Sequence, residues 1–130
     1  MSSEFEKIFT RLRGILSEHA RSLSVTEDSL TRYSLAGRVG PATLRAWGGK
    51  MKRPMIPVAW VEIGKACVSF HLMSVYGDSA ALAGMSKELQ ARMQGKTCFN
   101  FNVADDALFQ ELEGVARWAC QRFKKAGFIE

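Results

Sequence analysis

The chain contains no apolar run approaching the ~20 residues that cross a bilayer, so a membrane-spanning helix is not expected. Near its start, Glu4, Glu6, Lys7, Arg11 and Arg13 interrupt the region where a signal peptide would carry its apolar segment. The expected location is therefore the cytoplasm, as a soluble protein. Cysteine is sparse: Cys67, Cys98 and Cys120 are widely spaced and include no C-x-x-C pair. An odd, scattered set argues against a disulfide framework and suits reduced thiols. Internal repeats and low-complexity tracts are absent as well.

What is present is ordinary globular material. The 130 residues, 47% hydrophobic and 24% charged, fit one domain over residues 1–130 with its own core. The net charge of +5 permits an acidic partner without requiring one. Its most local basic feature is Arg45, Lys50, Lys52 and Arg53, where Trp47 is the only aromatic. Single-stranded nucleic acid is held by basic grooves with several stacking aromatics, so this stretch reads as a solvated loop and nucleic acid is not expected as a partner.

Hydrophobic spacing lays out the elements. Phe5, Ile8, Phe9, Leu12, Leu16 and Leu23 share one face of a helix expected over 4–22, with Ser3 and Glu6 in a capping-box pattern. Segments 30–35 and 42–47 read as strands, punctuated by Gly37, Gly40 and Pro41. Strands over 58–63 and 66–73 flank Gly64-Lys65, a two-residue type II′ hairpin signal. That turn pairs Ile63 with Ala66, Val61 with Val68 and Ala59 with Phe70 on an apolar face. The mixed face then pairs Glu62 with Cys67, Trp60 with Ser69 and Val58 with His71.

Short helices are expected over 79–83 and 87–94, with Ser86 as N-cap and Gly95 as stop. A strand over 97–102 sends Phe99 and Phe101 one way, Cys98 and Asn100 the other. A long helix opens at Asp105 or Asp106 and runs to about Ala126, with Leu108, Leu112, Val115, Ala116, Ala119 and Phe123 as its stripe. The expected fold is α+β: a two-layer sandwich, with a mainly antiparallel sheet packed against N- and C-terminal helices.

Chemical motifs are few. Gly95-Lys96-Thr97 resembles the end of a phosphate loop, but Gln90 stands where the first Gly belongs and a strand follows instead of a helix. Cys67 and His71 lie four residues apart on one strand, about 13 Å at ~3.3 Å per residue, which is too far to share a zinc ion. Cys98 and His71 are the remaining pair, as ligands or as thiol and base. No triad signature accompanies them, so no catalytic residue and no metal ligand is assigned, and no cofactor is indicated. Asp105 and Asp106 are explained by a helix start. The candidate working surface is the mixed sheet face, carrying Trp60, Ser69, His71, Cys98 and Asn100. Trp combines a large apolar area with one donor, which suits a protein partner, a small ligand or a second copy of the chain.

Val68-Ser-Phe-His-Leu-Met-Ser-Val-Tyr76 and Met93-Gln-Gly-Lys-Thr-Cys-Phe-Asn-Phe101, with the preceding hairpin and the closing helix, resemble the YdhG-like family of bacterial domains of unknown function. The resemblance spans most of the chain and implies a compact α/β sandwich. One branch of that family is similar to frataxin, which implies an alternative role in iron or iron–sulfur delivery. Frataxin-type iron binding uses an acidic ridge along the first helix and adjoining strand. Here Glu4, Glu6 and Glu18 share the first helix region with Lys7, Arg11, Arg13 and Arg21. The family brings no catalytic residues. A small enzyme using Cys98 or His71 is the other alternative.

Overall fold

The apolar residues spaced three and four apart near the start form helix α1 (Ser3–Ser17), which buries Ile8, Phe9, Leu12, Ile15 and Leu16. The computed structural model describes residues 3–46, 55–75, 79–95 and 97–129. The helix ends five residues earlier than its pattern suggests. Residues 18–22 form tighter turns, with amides of His19, Ala20 and Ser22 bonding carbonyls three residues back. Leu23 still packs against the core, from the link that follows.

Six strands follow: β1 (Ser24–Asp28), β2 (Arg32–Arg38), β3 (Met55–Ile63), β4 (Val68–Leu72), β5 (Met93–Gln94) and β6 (Cys98–Phe101). They form one sheet in the order β1-β2-β3-β4-β6-β5, every neighbour antiparallel. Burial alternates along β4 and β6, with Val68, Phe70, Leu72, Phe99 and Phe101 inside. These side chains, with Tyr33, Leu35 and Val61, meet α1 and the closing helix α5 (Asp106–Lys125) in one core. Phe70 meets Phe99 edge-on at 6.4 Å, and Phe101 meets Phe109 at 5.1 Å. The architecture is an α+β fold whose N- and C-terminal helices flank an antiparallel sheet. None of the helices is long and apolar enough to cross a membrane, among the described residues.

Three expectations about elements need correction. Residues 42–47 were expected as a strand, yet Pro41–Ala46 is helix α2. Proline suits a first helical turn because its missing N–H has no partner there anyway, and the Leu44 amide closes the turn on the Gly40 carbonyl at 3.1 Å. Helix α3 (Ser79–Ala83) forms where it was expected, whereas the helix expected over 87–94 stops at Gln90 (α4, Lys87–Gln90), and Met93–Gln94 are strand β5. Gly95 is therefore not a helix stop. Its φ of 80° places it in the turn between β5 and β6. Strand β1 was not anticipated at all, because every one of its residues is exposed and it shows no apolar alternation.

The hairpin is also shifted. Ile63 pairs with Val68, Val61 with Phe70, Glu62 with Ser69, and Trp60 with His71. Gly64 donates its amide to the Cys67 carbonyl at 2.9 Å, so Lys65-Ala66 forms the tip. Gly64 is not among the glycines of positive φ, which removes the type II′ turn. Sliding by two residues keeps each side chain on its expected face. Val58 is the exception. A bulge leaves it unpaired between Leu35↔Ala59 and Ala36↔Pro57, and it is fully buried in the core, not on the mixed face.

Helix starts are fixed by the expected residues. Asp105 accepts from the Leu108 amide at 3.1 Å, and Ser86 Oγ accepts from Leu89 at 3.1 Å. Glu111 of α5 in turn accepts from the Ser86 amide and hydroxyl, both at 2.6 Å. This carboxylate ties α4, and through it the approach to β5, onto α5. Each bond to a charged acceptor is worth about 1.5–3 kcal/mol. Glu111→Ala is expected to destabilise by about 2 kcal/mol and to speed amide exchange through α4 and β5, and Glu111→Gln, which keeps one acceptor, by about half that. Urea melts and hydrogen exchange test this; unchanged exchange at β5 would refute the tie.

Candidate functional site

The shifted register assembles the open face. Trp60, His71 and Cys98 are successive cross-strand partners on β3, β4 and β6, flanked by Ser34 on β2 and Gln94 on β5. A second row runs Arg32, Glu62, Ser69 and Asn100. All five expected residues, Trp60, Ser69, His71, Cys98 and Asn100, are half-buried on this face, opposite the helices. Gln94 belongs with them and was missed, because its position was assigned to a helix. Gly95 offered the available hint, since a lone Gly between apolar segments also marks a hairpin turn.

Two interactions give the face its character. The first is a stack. The Trp60 and His71 rings lie 4.5 Å apart and 14° from parallel. Burial under this stack pushes the His71 pKa below its ordinary value, although Glu62, 3.8 Å from Nε2, pulls the other way. The imidazole is accordingly neutral near pH 7.

The second is a directed chain of hydrogen bonds. Ser69 Oγ donates to Asn100 Oδ1 at 2.9 Å, and the Cys98 thiol donates to the same oxygen at 3.2 Å. Asn100 Nδ2 then donates to Gln94 Oε1 at 2.7 Å. Two donors on Oδ1 and one acceptor at Nδ2 assign the amide's orientation from its network. Cys67 Sγ lies 3.8 Å from Ser69 Oγ at the end of this chain.

Cys98 and His71 do come together, with Sγ 3.7 Å from Nε2. The electrostatics run against catalysis. Burial raises the Cys98 pKa, while burial lowers that of His71. A thiolate–imidazolium pair needs both shifts reversed. Asn100 Oδ1 is also the nearer acceptor for the thiol proton, and it would repel a thiolate.

Three acids of the first-helix region and the adjoining strand are engaged by arginines. Asp28 accepts two bonds from Arg13 at 2.9 and 3.0 Å, Glu27 pairs with Arg32 at 2.9 Å, and Glu18 accepts from Arg117 at 2.7 and 2.8 Å. Hard cations need clustered free oxygens, and no cluster of three His, Cys, Asp or Glu suited to a metal occurs among the described residues. Arg45 lies in the last turn of α2. The rest of the basic stretch, with Trp47, lies outside the described residues, as does Lys96. Thr97 leads directly into strand β6, so no helix N-terminus meets the Gly95 turn.

No protein-family model, curated protein or solved structure matches this chain.

Proposed function

We propose that the chain is a cytoplasmic, non-enzymatic binding or accessory domain of the YdhG-like kind, engaging a protein partner through the open sheet face around Trp60 and His71. The observation that carries this reading is the stacked Trp60–His71 pair standing on a face that no core helix covers among the described residues. Aromatic residues held rigid by a neighbour lose little entropy on binding and supply most of the contact energy at interface centres. Beside the stack, Ser69 and Cys98 already donate to Asn100, which reduces the number of polar groups a partner would have to satisfy. The same face suits a second copy of the chain, since a two-fold interface places like patches together.

The test is Trp60→Ala. Truncating this half-buried ring is expected to cost about 1–2 kcal/mol of stability, leaving the chain folded by circular dichroism. Self-association in sedimentation velocity, or retention of a partner on the immobilised chain, should be lost in the variant. A wild type that neither associates nor retains a partner overturns the reading, as does a variant that behaves identically.

A further inference from the structure

At the β5 edge of the open face lies a groove of about 330 Å³ lined by Cys67, Arg92, Met93, Gln94, Asn100 and Asn102. Its polarity is set by the hydrogen-bond chain. Asn100 Oδ1 is turned inward by the Ser69 and Cys98 donors, and Asn100 Nδ2 occupies Gln94 Oε1. Asn100 Oδ1 thereby has both lone pairs taken and Gln94 Oε1 already accepts one bond, so these two amides offer chiefly donors: the second hydrogen of Asn100 Nδ2 and the whole of Gln94 Nε2, with the Asn102 amide beside them. Arg92 adds five more, and no carboxylate is paired with it among the described residues. The lining contains no acid.

We infer that this groove is a binding site for a small oxyanion, a carboxylate or a phosphate group, held by the Arg92 guanidinium and the donor ends of Gln94 and Asn100. A guanidinium fork with convergent N–H donors matches the two oxygens of either group. A cationic ligand would meet the Arg92 charge with no acid in the lining to offset it. A neutral ligand would leave Arg92 unpaired in a half-covered groove. The site shares the open face with the proposed partner surface but does not depend on Trp60, whose strand β3 is separated from the β5 strand of Gln94 by both β4 and β6.

The experiment is a ¹⁵N–¹H titration of the full chain, with inorganic phosphate in one arm and acetate in the other, at constant ionic strength set by chloride. Saturable shifts of the Gln94 and Asn100 side-chain amides and of Arg92 Nε are expected. Saturation by phosphate alone assigns a phosphate group, by acetate alone a carboxylate, and by both a general oxyanion site. Arg92→Gln should weaken binding about tenfold or more, as loss of a bidentate charged pair does. Trp60→Ala should leave the titration unchanged, so a failure of the partner-binding reading does not pass for a failure here. Shifts that do not saturate in either arm, or that persist undiminished in Arg92→Gln, overturn the inference.

Discussion

Gly40→Ala is expected to cost about 4 kcal/mol of stability. Residues 127–129 cross directly over Gly40. A Cβ there would overlap the Gly127 carbonyl oxygen and stand 2.9 Å from that of Ile129. Both are backbone atoms, so no rotamer change relieves the overlap. The crossing chain must lift away, and what it loses can be itemised. The Gly40 amide donates to the Phe128 carbonyl at 3.0 Å, Ala42 to Gly127 at 2.8 Å, and Thr43 Oγ1 to Phe128 at 2.6 Å. Three such bonds at ~1 kcal/mol each, with partial exposure of the Ile129 side chain at ~1–2 kcal/mol, give the expected figure.

The loss is also capped, because a lifted segment has nothing further to lose. Ile129→Ala removes part of the same contact, so the double variant should fall well short of the two single losses added together. Urea denaturation of the four proteins measures this. A Gly40→Ala loss below about 1 kcal/mol, or simple additivity with Ile129→Ala, would show that the crossing does not constrain the fold.

Gly40 illustrates which parts of the structure were legible in the sequence. Gly37, Gly40 and Pro41 were visible as punctuation, but a close approach between residues 87 positions apart leaves no local trace. The faces of β3, β4 and β6 were readable because alternation has period two, and a register error of two residues preserves it. The register was not readable. It depends on which two residues of Ile63-Gly-Lys-Ala-Cys67 form the tip, and Gly64 offered a turn that the backbone does not take. That error had a functional consequence: it set Val58 opposite His71, when Trp60 stands there and makes the stack.

Strand β1 was invisible for a physical reason. An exposed edge strand with Thr, Glu and Asp has no buried side to advertise, and its charges protect an open edge from further pairing. Helix α2 was misread because Ala42-Thr-Leu-Arg-Ala alternates by chance, while the decisive Pro41 acts through the backbone. The long helices posed no such difficulty, since α5 repeats its apolar stripe over about four turns between an Asp cap and a basic end.

The Cys98 thiol is expected to alkylate slowly, roughly tenfold slower at pH 7 than a free cysteine. A thiol of ordinary pKa, ~8.5, is a few per cent thiolate at pH 7, and only the thiolate reacts. Burial moves Cys98 upward from there, so its thiolate fraction is smaller and its rate should keep rising at pH values where a free thiol has levelled off. A thiol activated by an imidazolium would behave oppositely, reacting roughly tenfold faster than the free thiol and levelling off below pH 7. The two cases differ by about two orders of magnitude at neutral pH, which makes the measurement decisive.

Peptide mass spectrometry after timed iodoacetamide pulses resolves Cys98 from Cys67 and Cys120. Removing the inward-turned amide oxygen supplies the internal control. In Asn100→Ala the thiol loses its nearest acceptor, at 3.2 Å, leaving His71 Nε2 at 3.7 Å as the next. Access also widens, so Cys98 should react faster in that variant. A fast, low-pH profile in the wild type would instead place the chemistry at Cys98 and His71, and the polar row would have to be reread as an active site.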